Sequence, residues 1–199
     1  MNIYIGIDPS INSTGIVIQK ENKILFYIVK PNKLSKKEIA IEHKISNFKY
    51  VLYNKIDLSK YKDKNYLEEQ KKTENLLSIS STIKNIINSN INETDIVYIV
   101  EEGISYGSSI RTKSVFDLAG LNYLIRSIFF NSNKNTIFFI GTPAEIKKFA
   151  TGKGNANKEM MKKCFAGIFP EITQIQKYDD LADAYFMSEY AKKLSKNYF

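Results

Sequence analysis

The sequence predicts an α/β fold: a five-stranded mixed sheet, three antiparallel strands then two parallel ones, with helices on both faces. Two observations carry this prediction. The chain opens with three apolar runs separated only by short breaks, and it then alternates helical and strand-like segments. The length of 199 residues, 43% hydrophobic and 25% charged, suits one domain, residues 1–199, with an elaborated segment at about 31–65.

Residues 3–8 read as the first strand, and Asp8-Pro9-Ser10-Ile11-Asn12-Ser13-Thr14-Gly15 is a turn rich in breakers. Ile16-Val17-Ile18 continues as a second strand, Glu21-Asn22-Lys23 turns the chain, and Ile24 to Val29 forms a third, giving an antiparallel meander. Residues 31–65, rich in lysine and asparagine, read as an insertion or elaborated loop. A helix follows, with Leu76, Leu77, Ile83, Ile86 and Ile87 near helical spacing. Strand four is 95–101, a helix spans about 112–130, and strand five is 136–140. Thr142-Pro143-Ala144-Glu145 starts a short helix: a threonine cap, a proline suited to the first turn, and a glutamate that completes a capping box. Further helices cover about 157–168 and 179–195, the last with acids at its start and Lys192-Lys193 near its end, as the helix dipole prefers. This order sets the ends of strands one and four side by side.

Composition excludes several chemistries. One cysteine, Cys164, leaves no internal disulfide and no cysteine-rich zinc site, and one histidine, His43, excludes nucleases built on a histidine pair. Catalysis falls to carboxylates, metals, lysines or hydroxyls. No apolar stretch is long enough to span a bilayer and no signal-peptide pattern opens the chain, so a cytoplasmic protein, of a bacterial cell or a phage-infected host, with no membrane partner is expected. The net charge of +8 points to a polyanionic partner.

Four acids stand out. Asp8 and Glu101 close apolar strands, and Asp180 and Asp183 lie three apart on one helix face. Acids converging at buried strand ends repel one another, and a divalent cation relieves that repulsion. Their hard oxygen ligands suit Mg²⁺ or Mn²⁺. On periodicity alone Glu102 competes with Glu101, because a strand buried on both faces offers no alternation to choose by, and Asp179 competes with Asp180.

Gly6-Ile7-Asp8-Pro9-Ser10-Ile11-Asn12-Ser13-Thr14-Gly15 resembles the opening of RuvC-type Holliday junction resolvases, in the ribonuclease H-like superfamily. Val100-Glu101-Glu102 resembles their second acidic motif. Residues 142–148 and 151–158 resemble their basic segment, and Asp180-Leu181-Ala182-Asp183-Ala184 their C-terminal acidic pair. The motifs occur in order across residues 3–190. The resemblance implies Asp8, Glu101, Asp180 and Asp183 as metal ligands, selecting Glu101 over Glu102 and Asp180 over Asp179. It makes Lys158 a catalytic lysine and Lys147 a DNA contact, joined by Lys148, Lys153, Tyr106 and Arg111; Ile104 stands where bacterial members carry an aromatic wedge.

The function so implied is a metal-dependent, structure-selective endonuclease that resolves four-way DNA junctions by paired symmetric nicks, leaving 5′-phosphate and 3′-hydroxyl ends. Two Mg²⁺ ions, roughly 4 Å apart and replaceable by Mn²⁺, would share the acids, with no small-molecule cofactor. The two-fold symmetry of a junction calls for a homodimer, and the broad apolar arc of the 112–130 helix could pair with a second copy or lie inside the monomer. Two rivals are a related nuclease of flaps, forks or other branched DNA, and a non-catalytic branched-DNA-binding module. A third, an actin-like kinase, lacks a later glycine-rich adenosine motif here and would leave Asp180 and Asp183 unused.

Overall fold

β1 (Asn2–Asp8), β2 (Thr14–Lys20) and β3 (Lys23–Pro31) form the antiparallel meander expected at the start of the chain, seen in a computed structural model that describes residues 1–31, 33–56, 64–103, 113–132 and 135–197. Further along come α1 (Lys36–Lys44), β4 (Phe48–Tyr53), α2 (Lys64–Asn88), β5 (Ile96–Glu102), α3 (Lys113–Ser132), β6 (Thr136–Gly141), α4 (Pro143–Thr151), α5 (Lys158–Ile168) and α6 (Tyr178–Ser195). The sheet order is β4-β3-β2-β1-β5-β6. No described helix is long and apolar enough to cross a membrane.

Among the described residues the sheet has six strands, not five. The extra one comes from the segment expected to be an elaborated loop. Ser35 caps α1 in a reciprocal capping box with Glu38. In β4 the side chains of Phe48, Tyr50 and Tyr53 are buried while Lys49 and Leu52 are exposed, and the strand pairs in parallel with β3. The capping box at Thr142 and Glu145 forms as expected.

β2 is the one antiparallel strand among the described six. β1, β3, β4, β5 and β6 all run the same way, so their C-terminal ends share one edge of the sheet. Asp8, Lys30, Glu102 and Gly141 line that edge.

Two cores sandwich the sheet. One face carries Tyr98, Val100 and Ile28 against α1, α4, α5 and α6; the other carries Ile3, Ile5, Ile7, Val97 and Ile99 against α2 and α3. α6 comes unusually close. A Cβ on Gly6 would lie 1.8 Å from the carbonyl oxygen of Ala184, and one on Gly15 would lie 2.2 Å from that of Asp180. Neither glycine is needed for its backbone angles; each is needed because helix backbone occupies the space of its side chain. Buried Gln19 on β2 then donates to Ser188 Oγ at 2.8 Å, fixing the helix along the sheet.

β5 splits its final acids between the faces. Glu101 pairs in register with Ile7 and points toward α3, where its fully buried carboxylate accepts from Arg126 Nε at 2.8 Å. Glu102 follows Tyr98 and Val100 toward α6. Burial pushes the Glu101 carboxyl up to about 7, and only Arg126 opposes that rise. Its Oε1 has no hydrogen-bond partner among the described residues.

Two stability effects follow. Gly6→Ala should cost about 3 kcal/mol or more, beyond ordinary overpacking because the clash is with backbone, whereas Gly167→Ala, where a Cβ meets nothing within 4 Å, should stabilise by about 0.5–1 kcal/mol; urea denaturation of both variants checks the contrast. Arg126→Ala should cost about 3 kcal/mol at pH 8 by stranding a buried charge. The loss should shrink below pH 7, where the wild-type Glu101 carboxyl is itself protonated and the pair is already weakened. A pH-independent loss in chemical denaturation would show that packing, not charge, dominates there.

Candidate metal centre

The sheet edge and the first turns of α6 bring together Asp8, Glu102, Asp180 and Asp183. The chain swings into α6 through Lys177, held in the left-handed region at φ 62°. With Gly15 removing any obstacle beneath Asp180, the helix start sits directly over the β1–β2 turn. Asp180 and Asp183 therefore overhang the end of β1.

The charges act on one another. The Asp8 carboxyl is raised well above its usual range by burial first, then by the charges of Glu102, Asp183 and Asp180, and by its hydrogen bond with Glu102. Glu102 is also raised, by burial, against the opposing pull of the Asp8 hydrogen bond and the charge of Lys147. Burial pushes Asp183 up to about 7, with Glu102 adding to the rise. Asp180 is raised by burial although Ser13 Oγ donates to its Oδ2 at 2.5 Å.

Among the described residues no three of these groups already close on a point as a ligand cage. Asp180 is turned to Ser13, Asp8 leans on Glu102, and Asp179 is tied to Lys158. Protons and neighbouring donors hold the acids apart in charge. The donor set, carboxylate oxygen throughout, fits a hard divalent cation such as Mg²⁺ or Mn²⁺, whose binding would displace those protons.

Glu102, rather than the expected Glu101, is the β5 acid that the structure places with Asp8. The register Ile7↔Glu101 places Glu102 beside Asp8, on the α6 side, and leaves Glu101 under α3 with Arg126. Asp8, Asp180 and Asp183 stand where the sequence reading put them. Asp179 is drawn off by Lys158: burial works to raise its carboxyl, but the hydrogen bond and charge of that lysine win and hold it below its ordinary value.

Lys158, the first residue of α5, faces the cluster, and its ammonium is held above its usual value by the hydrogen bond to Asp179 and by the charges of Asp180 and Asp183. Lys147 on α4 lies close enough to Glu102 to act on its charge. Lys148 on α4, Lys153 in the α4–α5 connection and His43 on α1 are exposed. Tyr106, Arg111 and Ile104 lie outside the described residues. Ser13, which the sequence reading did not single out, is the donor that orients Asp180; its place in the Asp8–Gly15 turn was the available signal.

No family model and no curated protein matches the sequence. Solved structures do. Thermus thermophilus RuvC is 12% identical, with 97% of this chain and 96% of that chain covered and a TM-score of 0.56. The yeast mitochondrial Holliday junction resolvase Ydc2 is also 12% identical, with 98% of this chain and 81% of that chain covered and a TM-score of 0.52. At such identity the likeness concerns the fold alone, and this chain shares the fold of those two structures along nearly its whole length.

Proposed function

We propose that the protein is a metal-dependent endonuclease that resolves four-way DNA junctions by paired symmetric nicks, leaving 5′-phosphate and 3′-hydroxyl ends. The observation that carries this reading is the gathering of Asp8, Glu102, Asp180 and Asp183 at one sheet edge, where burial raises all four carboxyls. The shared fold of two junction resolvases and the net charge of +8 support it.

Asp8, Glu102, Asp180 and Asp183 would hold the divalent cations. When bound, these supply Lewis-acid charge and lower the pKa of bound water. Ser13 orients Asp180, and Arg126 pairs with Glu101 on the opposite face of the sheet. Lys158 and Lys147 bring positive charge to the place where a phosphate would gain negative charge during cleavage. Lys148 and Lys153 extend the basic surface for the DNA backbone.

A homodimer completes the proposal. Phe116, Tyr123 and Phe130 recur every seven residues on α3 and are 76%, 65% and 73% exposed. Such a stripe, left uncovered by the monomer, suits a symmetric helix contact between two copies.

Labelled four-way, three-way, flap and fork substrates with Mg²⁺ or Mn²⁺ test the activity: paired symmetric nicks in the four-way junction are expected, and cutting of flaps or forks alone would replace junction resolution with the flap-nuclease reading. In the same assay Glu102→Gln should lower cleavage by at least 100-fold, while Glu101→Gln should retain activity within about tenfold.

Asp183→Asn tests the electrostatics. With a folded-state pKa of about 7 against 3.8 ordinarily, the folded protein keeps a proton that the unfolded chain releases. Stability of the metal-free protein should therefore fall as pH rises from about 4 to 7. The asparagine variant should flatten that fall, exceed the wild type by at least about 1 kcal/mol at pH 8, lose stabilisation by Mg²⁺, and lose cleavage. Denaturation with and without EDTA reads all but the last; a variant that is far less stable and still cuts would end the assignment.

Sedimentation at micromolar concentration should show a dimer for the wild type and a monomer for a Tyr123→Glu, Phe130→Glu variant. A monomeric wild type, free and on DNA, would refute the dimer.

A further inference from the structure

β4 and α1 build a pocket beside the acidic cluster that the four acids do not use. Asn12, Ser13, Ile28, Lys30, Glu38, Tyr50, Gln176 and Lys177 line a cavity of about 80 Å³. Its wall is shared with the candidate metal centre, since Ser13 is the donor to Asp180. Against about 30 Å³ for a water in the liquid, the cavity has room for a group of a few heavy atoms and none for a nucleobase.

The polar groups lining it are chiefly donors. Tyr50 is 7% exposed, and its hydroxyl is buried without a hydrogen-bond partner among the described residues. An unpaired buried hydroxyl is costly and asks for a ligand or water. Burial, then the charges of Glu38 and Glu42, pushes its phenol up to about 12, so it keeps its proton and can donate. Lys177 forms no salt bridge among the described residues, although its charge reaches Asp180, and the amide side chains of Asn12 and Gln176 also line the cavity. The one acid, Glu38, is already engaged by Lys30, by Ser35 N and by Ser35 Oγ. Lys30 lies 5.6 Å above the Tyr50 ring and covers the face on which a base would stack. Two lysines against one glutamate leave the pocket positive.

We propose that this pocket seats a phosphate group, specifically a non-scissile phosphate of the nucleic-acid strand being cut. The proposal rests on the nuclease reading above. It gives the added strand a role: β4 carries the Tyr50 hydroxyl to the same sheet edge as Asp8 and Glu102, so the pocket would position the strand over the acids.

The test uses Tyr50→Phe, which keeps the ring and removes the hydroxyl, and Lys177→Gln, at an exposed position. Binding of the full chain to a labelled four-way junction is measured in EDTA, with single neutral methylphosphonates walked along the strand. Wild-type binding should fall about tenfold for a lesion at one phosphate away from the cut. Both variants should bind unmodified DNA at least threefold more weakly and lose most of their sensitivity at that phosphate, and Lys177→Gln should lower the salt slope by about one. Thermal melts at wild-type temperature keep misfolding from imitating this result. Full sensitivity in both variants at every phosphate would overturn the pocket while leaving the nuclease reading intact. A wild type that neither binds nor cuts branched DNA would overturn both. A titration with inorganic phosphate separates the sources: phosphate that raises the melting temperature of the wild type but not of Tyr50→Phe, with an unaltered lesion profile, would make this a free-phosphate site and defeat the strand assignment.

Discussion

The near-contact of α6 with β1 and β2 is the constraint on which the rest depends. Two glycines without side chains let a helix backbone rest on a sheet backbone. Everything polar at the sheet edge inherits its position from that approach. Asp180 and Asp183 reach over Asp8 because the helix start is so low, and Ser13 reaches Asp180 because Gly15 leaves the turn flush against the helix. Dispersion and buried apolar area hold the interface, and the energy they supply offsets the repulsion of acids crowded above it.

That crowding shows how the protein separates stability from chemistry. Desolvation raises each carboxyl of the cluster, against which stand the hydrogen bond between Asp8 and Glu102, the Ser13 donor to Asp180 and the charge of nearby Lys158. The same burial acts on Glu101, yet there a fixed guanidinium answers it. One strand end thus carries a carboxyl answered by a fixed guanidinium next to one that faces the acidic cluster. The Glu101–Arg126 pair sits between α3 and the sheet, and Arg126 also lies over the Tyr123 ring at 5.3 Å, within the exposed aromatic stripe.

Much of this was legible from the residues. The meander, the parallel strands, the capped start of α4 and the acids Asp8 and Asp183 follow from period, breakers and spacing, while Asp180 was separated from Asp179 only by the family resemblance. Two things were not. Glu101 and Glu102 differ by the face they occupy, and that depends on the register of β5 against β1, a long-range pairing that a strand buried on both sides does not advertise. α1 and β4 were legible in principle, since Ser35-x-x-Glu38 is a capping box and Phe48 to Tyr53 carries a partial strand alternation. The surrounding lysines and asparagines hid them, because composition speaks for loop even where a short apolar face is enough to add an edge strand.

Adjacent acids on β5 also act as a gauge of alignment. Sliding the strand one residue one way would offer Gly103 to the cluster and Glu102 to Arg126, so the guanidinium keeps a partner while the cluster loses an acid. Sliding it the other way would offer Glu101 to the cluster and Val100 to Arg126, so the cluster keeps an acid while the guanidinium faces a hydrocarbon. Only the native alignment satisfies both sides at once. The doublet thereby guards the strand against both errors, a safeguard that one acid alone could not provide.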